Sequence, residues 1–473
     1  MLRKCLFFFF VAPLLYLSVL LPLAANGSDF DVIKEAAQNG NPNSQFELGK
    51  KYVTGDDVPR DYEEAAKWWR LAADAGYPNA QNSLGVLYAI GKGLPQDYEE
   101  AVKWYRLAAD QGYAVAQFNL GKAYIRGREV PQNYAETAKW YRLGAEQGHI
   151  GAQFSLGRMY VKGQSKKKDL VEAVNWFRMA AEQGHLKSQV LLAEAYSNGS
   201  GVPQDYSKAA KWHRLAADRG FPSSQNNLGQ LYADGRGVPQ SYKEAAKWYG
   251  LAAEQGNVYA QNNLGTLLEA GKGLSKDYTE AAKQYQLSAE AGLAGGQYNL
   301  GRMYYLGLGV QKNIANAEQW WRLAANQGDA DAQNNLGAMY DIGEFVVKDK
   351  VEAVKWYRLA AAQGDANAQL SLGILYEVGE GIPQDHVQAA KWYRLAAAQG
   401  NVSAQSQIGI SFALGRGVKQ NYKNAYLWFF LAAENGDKDA VQNREKVAMQ
   451  LTSEEIEEIK QEAAGYLSKM KTK

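Results

Sequence analysis

Four histidines, two Ser-x-x-Lys matches and several columns of repeated polar or aromatic residues are the groups in this sequence whose types and spacing could do chemistry. The histidines make no constellation. His149 and His185 occupy equivalent places in successive units. Equivalent helices of neighbouring units stand at least ~8 Å apart, too far to share one metal at about 2.1 Å per ligand. His213 takes an aromatic position on a helix, and His386 takes the place of a tyrosine after a helix cap. Ser165-Lys166-Lys167-Lys168 and Ser468-Lys469-Met470-Lys471 match S-x-x-K, a serine-nucleophile motif that opens a helix within a mixed fold. Here one copy falls in a loop and the other in a tail. No P-loop or nucleophile elbow occurs. The sequence thus points to no catalytic residue, no metal site and no cofactor.

Binding chemistry is better represented. Asn119, Asn227, Asn263, Asn299 and Asn335 share one position of a repeated unit, and Phe46, Phe118, Phe154 and Tyr298 share the neighbouring one. A carboxamide can pair with both the N–H and the C=O of an extended peptide, and aromatic side chains anchor interfaces. These residues are the candidate partner-binding set. The alternative is that the asparagines satisfy backbone groups at helix–helix seams and the aromatics pack against loops. A column of glutamines from Gln45 to Gln405, one in every unit, lies on a packed face and so needs hydrogen-bond partners; a repeated inter-helix bond is its reading. Recurring cations such as Lys103 and Arg106 are accompanied by acids such as Asp110. They read as a solvated face laced with i,i+4 pairs. With 52 basic and 50 acidic residues, net charge +2, the balance gives no support for nucleic-acid or anionic-membrane binding.

The elements that position these residues repeat. The stretch Ala80 to Val115 recurs so that Leu84-Gly85 returns every 36 residues from Leu48-Gly49 to Ile408-Gly409, eleven units without insertion. A fixed period of this size signals a solenoid. Gln81, Leu84, Gly85 and Tyr88 fall on one face of a first helix. Gly in a helix interior costs about 1 kcal/mol relative to Ala, so its recurrence implies close approach of a neighbour. Positions 79, 82, 83, 86 and 90 fall on the opposite side, and their identity changes from unit to unit. Gly91 stops this helix, and Asp97 opens a second one as N-cap, with Glu100 placed as in a capping box. Gly112 ends it as a C′ residue. Ala101, Trp104, Tyr105, Leu107, Ala108 and Ala109 give the second helix an apolar face wide enough to be buried on two sides.

The pattern A-Q-x-x-L-G-x-x-Y-x-x-G-x-G-V-P-Q-D-Y-x-x-A-x-K-W-Y-R-L-A-A-x-x-G resembles the SEL-type (Sel-like, SLR) repeat, a relative of the tetratricopeptide repeat, over about 44–439. The resemblance implies an all-α fold: an α/α right-handed superhelical solenoid of helix-turn-helix repeats that scaffolds protein–protein contacts. Its likeness to tetratricopeptide repeats implies that the variable side of the first helices lines the groove. The expected partner is a protein or peptide. Two other functions attach to relatives of this family. Some cysteine-rich secreted bacterial members are linked to β-lactam binding or hydrolysis, but the one cysteine here, Cys5, precedes the repeats. Eukaryotic members serve as endoplasmic-reticulum degradation adaptors. Asn198-Gly199-Ser200 and Asn401-Val402-Ser403 are compatible with glycosylation, yet no C-terminal apolar run long enough for an anchor follows.

The ends complete the expected organisation. Residues 1–27 carry Arg3 and Lys4, an apolar run from Cys5 to Leu23, and Ala25-Asn26-Gly27. This reads as a secretory signal, and hence a secreted or periplasmic protein, with an uncleaved N-terminal anchor as the alternative and the only expected membrane contact. Residues 28–43 read as a half-repeat cap and 440–473 as capping helices, the last opened by Thr452-Ser453-Glu454-Glu455.

Overall fold

The computed structural model describes residues 29–127, 130–164, 167–343 and 346–471, so the expected signal lies outside the described residues. Among these residues all twenty-five elements are α-helices and there is no strand. The chain divides into two compact units, one running to Ser188 with Ser200–Val202, the other comprising Gln189–Gly199 and Pro203–Lys473.

The first unit opens with the helix Asp29–Gln38. Four helix pairs follow: Pro42–Thr54 with Tyr62–Asp74, Pro78–Ile90 with Tyr98–Asp110, Ala114–Arg126 with Tyr134–Glu146, and Ile150–Lys162 with Leu170–Glu182. Each helix packs on the next in sequence, the nearest-neighbour pattern of a solenoid. The helix Leu186–Asn198 belongs to the second unit from Gln189 onward; there it and Tyr206–Ala217 precede six pairs, from Pro222–Asp234 with Tyr242–Glu254 to Val402–Leu414 with Tyr422–Glu434. Lys438–Ala448 and Ser453–Lys471 then pack on Tyr422–Glu434. Ile459 and Ala463 of the last helix are buried there, and Tyr466 lies against Trp428.

The helix limits follow from local chemistry. Gly91 closes its helix in the left-handed region, φ 66°, where a Cβ would be strained. Asp97 accepts the Glu100 N–H at 3.0 Å. The capping box is only half formed in this unit. The Asp97 N–H, which the Glu100 carboxylate would have to accept, donates instead to the Tyr88 carbonyl at 3.0 Å. Glu100 is left to pair with Lys103, while Glu136 and Glu244 accept from the indoles of Trp140 and Trp248. Among the described residues the reciprocal pair closes where no preceding helix supplies that carbonyl: Thr452 N–H donates to Glu455 at 2.9 Å, and Glu455 N–H to the Thr452 hydroxyl at 3.2 Å. Arg106 also departs from the i,i+4 expectation. It reaches the Tyr124 hydroxyl on the next first helix, as Arg214 reaches Tyr232 (2.6 Å) and Arg358 reaches Tyr376 (3.0 Å).

The buried glutamines tie each unit to its neighbours at both ends of the amide. Gln81 donates to the Ala73 carbonyl at 3.1 Å, on the preceding second helix. Its own carbonyl accepts from Gln111 at 2.8 Å, at the end of the following one. The same two bonds recur at Gln117, Gln153, Gln225, Gln297, Gln333 and Gln369. Gln45 and Gln261 break the rule: their Oε1 atoms are buried without a partner, because Ala75 and Ala291 stand where the others have glutamine. A buried acceptor left unpaired costs about 1–3 kcal/mol. Ala291→Gln is therefore expected to raise stability by about 1 kcal/mol, and Gln255→Ala to lower it by a similar amount. Urea unfolding of both variants checks the pair, and no gain in Ala291→Gln would contradict the bond.

Candidate functional site

The histidines serve the scaffold. His149 is an N-cap, its Nδ1 accepting the Ala152 N–H at 3.1 Å, and burial lowers its pKa. His185 plays the same role, its Nδ1 accepting the Ser188 N–H at 3.3 Å and lying 2.9 Å from the Ser188 hydroxyl. His213 is buried. Among the described residues no group of three or more His, Cys, Asp or Glu stands close enough to hold a metal. Ser165 and Lys166 of one S-x-x-K match, and the side chains of the other, lie outside the described residues.

The asparagine column lies half-buried on the first helices and pairs from unit to unit. Asn119 donates to Asn82 (2.9 Å), Asn263 to Asn226 (3.2 Å) and Asn299 to Asn262 (2.9 Å). Asn227 accepts from Asn226 at 3.3 Å. Asn335 faces Tyr298 across a shared cavity. The aromatic column is half-buried too. Phe46 packs on Trp69 and Tyr77, Phe118 on Tyr141 and His149, and Phe154 on Phe177 and His185. These contacts tie each ring to its own second helix and to the residue that opens the next unit. Asn119, Asn263 and Asn299 thus pair at the helix seams with side-chain amides, not with the backbone groups foreseen, and the aromatics pack on rings of the second helices rather than on loops alone.

The columns also line clefts between successive first helices. Asn335 and Tyr298 meet in a cavity of about 330 Å³ with Arg302, Tyr305, Leu306, Trp321 and Ile342. Asn227 lines one of about 270 Å³ with Glu194, His213, Asp234 and Arg236. Asn119 lines a cavity of about 60 Å³ with Tyr105, Lys122 and Arg126. The equivalent cleft one unit on, about 220 Å³, is lined by Tyr141, Ser155, Arg158 and Lys162.

The rims of these clefts carry residues that sequence reasoning passed over. They occupy the positions equivalent to 86 and 90, classed as variable but not singled out. In the second unit Leu306, Ile342, Val378 and Leu414, at 50%, 68%, 53% and 55% exposure, form an apolar row. The charges near that row are paired: Arg302 with Glu269, and Lys350 with Asp341 and Glu380. In two repeats of the first unit the same positions hold Lys122, Arg126, Arg158 and Lys162, while the repeat before them has Val86 and Ile90. The available signal was the run of Leu, Ile, Val and Leu at a spacing of 36, visible once that column is read alone.

Comparison with known proteins bears on the architecture directly. A family model described as the Sel1 repeat matches eleven consecutive segments, from 42–77 to 402–437. The chain belongs to the Sel1 repeat family. Its fold is similar to that of a protective antigen of uropathogenic Escherichia coli strains displaying an SLR fold, with 38% identity, 94% of this chain and 95% of that chain covered, and a TM-score of 0.82. It is also similar to a Sel1 repeat protein from Oxalobacter formigenes, with 33% identity, 65% and 89% coverage and a TM-score of 0.52. No curated protein matches the chain. The helix pairs described above are thus Sel1 repeats, and the chain is an all-α repeat scaffold.

Proposed function

We propose that this Sel1 repeat chain is a non-enzymatic scaffold that binds a protein partner along the exposed side of its first helices. The apolar row Leu306, Ile342, Val378 and Leu414, beside a 330 Å³ cavity lined by Tyr298, Trp321 and Asn335, carries the reading. Exposed apolar side chains aligned beside an aromatic cavity mark protein interaction surfaces. The four rim residues pack against little, so changing them to serine together is expected to leave melting unchanged. Capture of the partner isolated with the full repeat array is expected to weaken at least tenfold. Undiminished capture by this variant would place the interface elsewhere. Nitrocefin turnover by the purified protein would overturn the non-enzymatic part.

Export belongs to the same proposal. Arg3, Lys4 and the apolar run from Cys5 to Leu23 support it, as does the likeness to a protein described as a protective antigen. Among the described residues no helix is long and apolar enough to cross a membrane. N-terminal sequencing of the exported protein is expected to begin between Asn26 and Phe30. A soluble cytosolic form retaining Met1 would sink the idea.

A further inference from the structure

The first unit presents a charge pattern that the scaffold does not use. The three successive first helices Pro78–Ile90, Ala114–Arg126 and Ile150–Lys162 contain no Asp or Glu. The second and third of them carry Lys122, Arg126, Arg158 and Lys162, one pair per helix at i,i+4. None of the four takes part in an ion pair seen among the described residues. On the second unit's equivalent face, by contrast, Arg302 is held by Glu269. Part of the pattern has a local cause, since Arg126 and Lys162 sit in last helical turns, where cations favour the helix dipole. That does not account for Lys122 and Arg158, one turn earlier. Lys122 is half-buried, and both burial and Arg126 disfavour its charge.

The surroundings hold these cations over clefts. Lys122 lies above the Phe118 ring, 5.3 Å from its centre, and Arg158 above Phe154 at 5.8 Å. The aromatic column is therefore a set of platforms for cations in this unit. Lys122 and Arg126 border the cleft with Asn119 and Tyr105; Arg158 and Lys162 border the next with Tyr141 and Ser155. Lys167 and Lys168, exposed in the loop after Ile150–Lys162, add to the same sign.

We propose that Lys122, Arg126, Arg158 and Lys162 form a docking site for an acidic segment of a partner protein, one carboxylate entering each cleft. Arginine takes a carboxylate bidentately and lysine as a point charge. Neighbouring helices are about 10 Å apart and an extended chain advances about 3.3 Å per residue, so the carboxylates that match are about three residues apart. The clefts accept side chains, and a chain of net charge +2 offers no continuous basic track, which favours an acidic peptide over a nucleic acid. This inference deepens the scaffold reading and rests on it.

The test uses the full chain and a fluorescein-labelled twelve-residue peptide with Glu at every third position and Ser between, read by anisotropy at low and moderate salt. The Glu peptide is expected to bind, its Gln counterpart not to bind, and added salt to weaken the complex. The variant K122Q/R126Q/R158Q/K162Q is expected to lose at least tenfold in affinity with unchanged melting. R126Q/R158Q, a smaller change, is expected to lose at least threefold. Equal binding of Glu and Gln peptides, no saturable binding, or undiminished binding by the variants overturns the proposal. So does tighter binding of a single-stranded DNA twelve-mer or of phosphatidylserine vesicles than of the Glu peptide. Capture through Leu306, Ile342, Val378 and Leu414 is measured on the same variants. If capture persists while the Glu peptide fails, only the acidic-segment site falls and the scaffold reading stands.

Discussion

Lowering the pH from 7.5 to 4 is expected to cost the repeats around His213 about 3 kcal/mol that a matched variant keeps. His213 is 1% exposed, on the helix Tyr206–Ala217, with its Nδ1 3.4 Å from the Ser224 hydroxyl. Burial pushes its pKa down to about 4. Glu194 and Asp234 line the adjoining cavity, but neither offsets that burial. The sign follows from proton uptake. Between about 6.5 and 4 the unfolded chain binds a proton here that the folded chain does not. The stabilising contribution is therefore complete above pH 6.5 and is lost as pH falls toward 4. Other carboxylates titrate over the same range, so the informative quantity is a difference between proteins. In the repeat register, position 213 faces position 193, where this unit alone has Ala instead of Gly. The variant Ala193→Gly/His213→Tyr restores the pairing used by its neighbours and should lack the acid-sensitive component. Urea unfolding of both proteins across the range checks this. Parallel pH profiles would show that His213 is not the group responsible.

Gly121→Ala is expected to destabilise the first unit by about 2 kcal/mol, against the ordinary preference of helices for alanine. A Cβ at Gly121 would stand 2.5 Å and 2.6 Å from two carbons of the Tyr141 ring. That ring is buried and packed against Phe118, 5.5 Å away between centres. Overpacking of a fixed core costs about 1–3 kcal/mol or more, and outweighs a propensity gain of about 1 kcal/mol. Gly250 is the control: it lies within the helix Tyr242–Glu254, and a Cβ there meets nothing within 4 Å. Gly250→Ala is expected to stabilise by about 0.5–1 kcal/mol. Adding Tyr141→His to Gly121→Ala copies the Ala193/His213 pairing and should recover part of the loss. Thermal melting and hydrogen exchange of the three proteins decide the matter. Equal gains at both glycines would mean that the ring yields without cost.

Much of the fold was legible because its signals are local. Gly91, Asp97 and Gly112 set helix ends through backbone conformation and short-range hydrogen bonds, and the 36-residue period carries them along the chain. The recurring glycine announced a close approach. That the nearest approaching group is an aromatic ring of the partner helix, with a backbone carbonyl behind it at Gly85 and Gly157, depends on how two helices cross. The half-formed capping box failed for a comparable reason: a carbonyl from the preceding helix takes the Asp97 N–H, and no spacing rule reports a competitor from another element.

The candidate site was less legible. Asparagine and phenylalanine columns stand out by composition, yet three of the five asparagines donate to neighbouring amides, and Phe118 and Phe154 lie beneath cations. By itself the sequence determined that the chain is a helical repeat array with one variable side. Periodicity, caps and glycines act over a few residues and recur unchanged in each unit. Only the tertiary structure decided which members of that variable side stand exposed or lack an ion-pair partner among the described residues: Leu306, Ile342, Val378 and Leu414 in one unit, Lys122 and Arg158 in the other. A lysine beside a carboxylate and a lysine above a cleft look alike in sequence. They differ in what the adjacent repeat, 36 residues away, places within reach.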